Sequence, residues 1–338
     1  MHFRQWKRRE FMTLLGGAAA AWPLAARAQQ PQQVRRIAVL MLGDENDPVR
    51  GTKGWLSTFT RGLAELGWTD GRNLRIDVRW DGDNVDRQRM YAKELADLQP
   101  DVILAPATPQ TAAFQQQTRT IPIVFVIVAD PIGSGFVASL PRPGGNITGF
   151  MLQEAGMAGK WLELLTEIAP AVRRAALMFN PDTAPYVRSF YLPLFEAAAR
   201  SLKLVPIAAP VHSDAEIETV IGSLGAEPGS GLVIAPDAFT TGHRSVIISL
   251  ATRHNVPAVS SDATILRDGG LLSYGPDLGD MFHRAAPYVD RILRGARPEE
   301  LPVQLPIKFV MAINLKTAKV LGLDVPWQLQ QRADEVIE

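Results

Sequence analysis

From Ile37 to Leu293, short runs of β-branched and other apolar residues alternate with longer stretches whose apolar positions recur every three to four residues. Strands that arrive singly, each followed by a helix, pair most readily in parallel, and a parallel sheet needs helices on both faces. An α/β chain is therefore expected. The first run is Ile37-Ala-Val-Leu-Met-Leu42, followed by a helix through Trp55, Phe59, Leu63 and Leu66 that Gly67 ends. Leu74–Trp80 alternates like a half-exposed edge strand, and a polar helix runs through Tyr91, Leu95 and Leu98. Val102–Ala105 and Ile123–Val128 are unbroken apolar runs, the pattern of buried central strands.

Pro141-Arg-Pro-Gly-Gly-Asn146 is the densest turn signal in the chain and divides this series from a second one. The second contains strands at Arg174–Phe179, Leu204–Ala208, Gly231–Ala235 and Pro257–Ser260, with a helix expected from Pro185 to Leu202. Leu271–Tyr274 reads as a crossing back, because a strong amphipathic helix follows with Leu278, Met281, Phe282, Ala285, Val289, Ile292 and Leu293 on one face. Two similar halves joined by repeated crossings predict two hinged lobes, each with its own core.

The first 28 residues have a different character. Lys7-Arg8-Arg9-Glu10-Phe11-Met12, the apolar stretch Leu14–Ala21 and Ala26-Arg27-Ala28 match the basic, apolar and small-residue parts of a secretory signal. Its paired arginines favour the twin-arginine route, the small-x-small end before Gln29 sets cleavage after Ala28, and an untethered exported chain is expected in the periplasm. Residues 1–28 hold five basic residues and one acid, so their removal takes the formal charge from zero to −4. That balance gives no global attraction for nucleic acid. The chain has no cysteine, which excludes disulfides, thiolate chemistry and a lipid-bearing cysteine.

In open parallel sheets, ligands collect beyond the carboxyl ends of the strands. Here those ends share a pattern: Ala107-Thr108-Pro109-Gln110, Ala129-Asp130-Pro131, Asn180-Pro181-Asp182, Pro236-Asp237 and Ser260-Ser261-Asp262. Thr108, Asp130 and Asn180 each precede proline, as an N-cap precedes the first helical residue. Thr108 and the amides after Pro109 suit a ligand carboxylate, Asp130 and Asp237 suit an ammonium group, and Tyr274 suits an apolar ligand part. Tyr186 and Phe239 are weaker aromatic candidates. The ligand-binding set expected is thus Thr108, Pro109, Asp130, Asn180, Asp237 and Tyr274.

Asp130-Pro-Ile-Gly-Ser-Gly-Phe-Val with Ser139-Leu-Pro-Arg-Pro-Gly-Gly-Asn-Ile-Thr-Gly149 resembles the DPVGxGLVxSLxRPGGNxTG block of the ABC-transporter substrate-binding family related to tryptophan- and tyrosine-binding proteins. Gly269–Gly275, Tyr288–Gly295, Leu301-Pro-Val, Asn314–Leu323 and Arg332-Ala-Asp-Glu335 extend the likeness over nearly the whole chain after the export segment. The resemblance implies a type I periplasmic binding-protein fold: two doubly wound parallel-sheet lobes joined by a three-crossover hinge. It places lobe 1 at 34–148 plus 276–305 and lobe 2 at 149–275 plus 306–338. It also implies that hinge closure encloses a small ligand for an ABC permease and its ATPase; the strand-end pattern suits a carboxylate-bearing ligand, an amino acid or aromatic acid, and a monomer is expected. One departure is the acidic opening Gly43-Asp44-Glu45-Asn46-Asp47, which has no counterpart in aromatic amino-acid binding.

No Gly-x-Ser-x-Gly elbow, His-Glu-x-x-His pair or Walker loop occurs. His212, His243, His254 and His283 lack metal-ligand spacing, so neither a metal nor a cofactor is expected. A periplasmic sensor for a signalling partner is the alternative, and a cleft enzyme a more distant one.

Overall fold

A computed structural model describes residues 34–46 and 52–338. The expected export segment and Asp47 lie outside the described residues.

The first lobe contains β1 (Arg35–Met41), α1 (Thr52–Glu65), β2 (Leu74–Trp80), α2 (Val85–Asp97), β3 (Val102–Pro106), α3 (Thr108–Gln117), β4 (Ile123–Val128) and β5 (Ile147–Met151). Its five strands run in the order β2-β1-β3-β4-β5, all parallel. The unbroken runs predicted as central are indeed internal, and every residue of β3 and β4 is buried.

The second lobe follows with α4 (Met157–Ile168), β6 (Arg174–Phe179), a π-helical turn (Val187–Tyr191), α5 (Leu192–Ser201), β7 (Val205–Pro210), α6 (Asp214–Ala226) and β8 (Ser230–Ile234). Then come α7 (Ala238–Gly242), α8 (Arg244–Arg253), β9 (Ala258–Ser260) and β10 (Leu272–Pro276). After them α9 (Leu278–Leu293) returns to the first lobe, and β11 (Phe309–Asn314), α10 (Leu315–Val320), α11 (Trp327–Arg332) and β12 (Glu335–Ile337) complete the second. The seven strands of this sheet are ordered β12-β11-β10-β9-β8-β6-β7, with β11 antiparallel to β10.

Each sheet is sandwiched because its helices present one apolar stripe inward. On one face of sheet 1, Phe59 and Leu63 of α1 meet Phe282, Val289 and Leu293 of α9; on the other lie Ala92 and Leu95 of α2 and Phe114 of α3. Sheet 2 is covered by Trp161 and Leu165 of α4 with Phe195 of α5, and opposite them by Ile217 and Ile221 of α6 with Ile247 of α8. Full burial of each such side chain contributes about 1.5–3 kcal/mol.

Three passages connect the lobes: residues 152–156, Asp277, and the return through residues 305–308. The first begins after Met151, because β5 belongs wholly to sheet 1 and so carries that lobe past residue 148. Leu301–Leu305 then runs beside β5, with Thr148 Oγ1 donating to Leu301 O at 2.5 Å and Met151 N to Gln304 O at 2.9 Å. The other two passages are fastened by Asp277. Its Oδ2 accepts from Lys308 Nζ at 2.7 Å, while its Oδ1 caps α9 through Asp280 N at 3.0 Å. Burial opposes ionisation there, but Lys308 and the cap prevail and hold the carboxyl below its usual range.

Gly275 shows how tightly the strand entering the hinge is packed. A Cβ at this position would lie 1.9 Å from Ser261 O, a backbone atom that cannot turn away. Gly275→Ala is therefore expected to force β10 away from the loop after β9 and to cost about 1–3 kcal/mol. Equilibrium urea unfolding should show a lowered midpoint at unchanged slope. A midpoint equal to the wild type would contradict the close packing.

Candidate functional site

The carboxyl ends of β3 and β4 are adjacent, and both end in unusual backbone. Ala107 has φ +63° and Ile127 φ +57°, a region that side chains other than glycine's rarely enter. Ile127 interrupts the register between β4 and β5, so the chain kinks just before Ala129-Asp130. Ala107 N donates to Val126 O at 2.7 Å, joining the two strand ends. Such strain persists only where surrounding structure holds it, and it concentrates at binding sites.

Helix α3 starts one residue earlier than its sequence suggests. Ala107 is the N-cap and offers no side-chain bond, so Thr108 and Pro109 are the first two helical residues. The half-buried Thr108 hydroxyl is thus free of capping duty, and the amides of Thr108 and Gln110 belong to the first turn, where the helix itself supplies no acceptor.

Asp130 does not cap a helix either, since residues 131–135 form a turn. Its Oδ1 accepts from Gly133 N at 2.7 Å, leaving Oδ2 for other partners. Gly133 is required beside it, because a Cβ there would fall 2.0 Å from Oδ2.

In the second lobe, Asn180 and Asp237 follow the neighbouring strands β6 and β8. Asn180 caps a turn, not a helix: its Oδ1 accepts from Asp182 N at 2.8 Å and Thr183 N at 3.2 Å. The helix expected from Pro185 to Leu202 is divided into the π-helical turn and α5. Asp237 is buried and fully engaged, contrary to the expectation of an open carboxylate for an ammonium group. It accepts from Asn180 N at 2.8 Å, Thr183 Oγ1 at 2.5 Å and, as the cap of α7, Phe239 N at 3.0 Å. Burial raises its pKa against the effect of these bonds. Asp237 therefore clamps two strand-end loops together.

Aromatic rings cluster in the second lobe. Tyr191 is buried against Phe190, Trp161 and Tyr186 at centroid separations of 4.9, 5.7 and 6.2 Å. The Tyr186 hydroxyl donates to Pro236 O at 2.6 Å, tying this cluster to the Asp237 loop. Phe190 packs against the cores of both lobes and so lies where they meet. Half-buried Tyr274 stacks on Phe309 at 5.7 Å, and its carbonyl accepts from Trp161 Nε1 at 2.9 Å. Phe239 instead stacks on His243, 4.0 Å away.

Two further polar groups have no marker in the sequence. Asp81, beyond β2, is buried and accepts from Gly43 N at 3.1 Å, Asp83 N at 2.9 Å, Gln88 Nε2 at 3.2 Å and Gln110 Nε2 at 2.7 Å. It ties the loop after β1 to α3, while burial raises its pKa. Gln153, on the first passage between lobes, is buried with its carboxamide nitrogen and oxygen both unpartnered among the described residues. In the acidic opening after β1, Asp44 and Glu45 are exposed and Glu45 pairs with Lys53 at 3.1 Å. Among the described residues no cluster of three or more His, Cys, Asp or Glu side chains could hold a metal. No helix among them is long and apolar enough to cross a membrane.

Two α/β lobes built on mainly parallel sheets and joined by three passages define a type I periplasmic binding-protein fold. Residues 51–337 match the family of ABC transporter substrate binding proteins, and the chain belongs to that family. It is 23% identical over 265 residues to the tyrosine-binding protein of Clostridioides difficile (strain R20291), covering 78% of this chain and 75% of that protein. Among solved structures, a conserved domain protein from Vibrio cholerae superposes with TM-score 0.81 at 25% identity, covering 90% of this chain and all of that one. An ABC domain from Streptococcus pneumonia in complex with L-Trp superposes with TM-score 0.80 at 23% identity, covering 90% and 99% of the two chains.

Proposed function

We propose that this chain captures an aromatic amino acid between its lobes in the periplasm and delivers it to the permease of an ABC importer. The observation that supports this reading is that Asp130 of the first lobe lies near Tyr191 of the second, with Phe190 packed against the cores of both. Asp130 and the first turn of α3 offer complements to an ammonium and a carboxylate, while Tyr186, Phe190 and Tyr191 offer rings. The relatives support the same ligand class, one named for tyrosine and one bound to L-Trp. Closure of the lobes excludes water and makes the charge-assisted contacts stronger. The closed shape is then what a permease distinguishes from the open one, and the ligand leaves chemically unchanged.

A thermal-shift screen of the purified protein against amino acids, aromatic acids, purines and sugars tests the reading. A ligand at one hundred times its Kd stabilises the native state by about 2.7 kcal/mol. Aromatic amino acids should give the largest rise in midpoint. A larger rise with a sugar or purine would contradict the assignment.

A further inference from the structure

Buried polar groups in folded proteins nearly always have hydrogen-bond partners, and each exception costs about 1–3 kcal/mol. Three exceptions come together where the first passage leaves sheet 1. Gln153 and Tyr191 are both 0% exposed, and Gln153 Nε2, Gln153 Oε1 and the Tyr191 hydroxyl all lack partners among the described residues. The two side chains are neighbours. Burial is the main cause that drives the Tyr191 pKa far up, the Gln153 amide opposes it, and Asp130 of the first lobe adds to it. The amide and the phenol nevertheless do not reach hydrogen-bond geometry with each other.

The position identifies what these groups suit. Gln153 belongs to the passage between lobes, Tyr191 ends the π-helical turn of lobe 2, and the rings of Trp161, Tyr186 and Phe190 surround Tyr191. A carboxamide presents two donors and an acceptor but no charge. An ionic group would be costly to desolvate there, whereas the first lobe already offers a carboxylate and a helix N-terminus.

We infer that Gln153 and Tyr191 recognise the neutral polar group on the ring of the ligand, a phenol hydroxyl or an indole N–H, and so exclude phenylalanine. This inference rests on the aromatic amino-acid reading above. A phenol would accept from Gln153 Nε2 and donate to Gln153 Oε1; an indole would donate to Oε1. Phenylalanine would leave all three protein groups unpaired, and sites built around a hydrogen bond discriminate strongly against analogues that lack it.

Titration calorimetry of the wild type, Gln153→Leu and Tyr191→Phe with L-tyrosine, L-tryptophan and L-phenylalanine tests this. The wild type should bind tyrosine or tryptophan at least about tenfold more tightly than phenylalanine. Gln153→Leu should bring that preference to within about threefold by weakening the favoured ligand, without lowering the unfolding midpoint of the ligand-free protein, because an orphaned amide has been removed. Tyr191→Phe removes a single oxygen from the same place and should narrow the preference independently, whatever the folding of the other variant. A preference unchanged in both variants would overturn the inference alone. So would a Gln153→Leu protein that melts earlier with its preference intact, which would show an amide satisfied by resident water. Failure of the wild type to bind all three amino acids would overturn the aromatic amino-acid reading together with it.

Discussion

Replacing Asp237 with alanine is expected to lower the thermal unfolding midpoint by roughly 5–10 °C, corresponding to a loss of about 3 kcal/mol. The carboxylate is only 5% exposed and receives Asn180 N, Thr183 Oγ1 and Phe239 N. Its removal orphans a buried amide at the end of β6 and uncaps α7, and each of these losses costs about 1–2 kcal/mol. Acid should not imitate the variant. Burial raises this carboxyl's pKa above that of the unfolded chain, so its linkage favours the native state below the ordinary aspartate range. That contribution is lost as pH rises through the elevated value. Circular-dichroism melts of the two proteins at neutral pH measure the difference, and a shift under 1 °C would show that Asp237 is not the clamp between these loops.

Asp130→Asn should act on the ligand instead of the fold. Asparagine keeps an acceptor for Gly133 N, the one hydrogen bond the Asp130 side chain receives among the described residues, so the ligand-free midpoint should change little. What disappears is the negative charge proposed to face the ligand's ammonium, a contact of about 1.5–3 kcal/mol, or roughly a 10- to 150-fold rise in Kd. Calorimetry with the tightest-binding aromatic amino acid reads this directly. Equal affinities for variant and wild type would remove Asp130 from the site. The contrast between the two aspartates is the sharper claim, since in sequence both are simply acids at strand ends.

That contrast shows what a sequence can express. The two-lobed α/β architecture is legible because β3 and β4 are unbroken apolar runs and because the inward stripe of α9 repeats over four turns. The strand ends are legible for the same reason, as each follows a recognisable run. Strand β5 is harder to find, because Ile147-Thr-Gly-Phe-Met is short and contains a glycine. Strand β12 is only three residues long, and the antiparallel pairing of β11 with β10 is not announced by the order of strands and helices.

The roles of individual site residues depend on partners distant in sequence. Asp237 is occupied by atoms 54 and 57 residues away, whereas Asp130 is bonded by an amide three residues on. The start of α3 moves by one residue because Ala107 adopts a positive φ that its side chain does not favour. Gln153 carries no local signal at all. Its significance comes from burial without a partner, a property that exists only after both lobes have assembled around it.

The proposed function requires that the chain bind an aromatic amino acid reversibly. Titration calorimetry of the purified protein with L-tyrosine and L-tryptophan, followed by recovery of the ligand and its mass spectrum, decides it. The expected result is saturable binding at one site per chain, with the amino acid recovered intact. Absence of saturable heat for both amino acids, or recovery of a converted product, would contradict it.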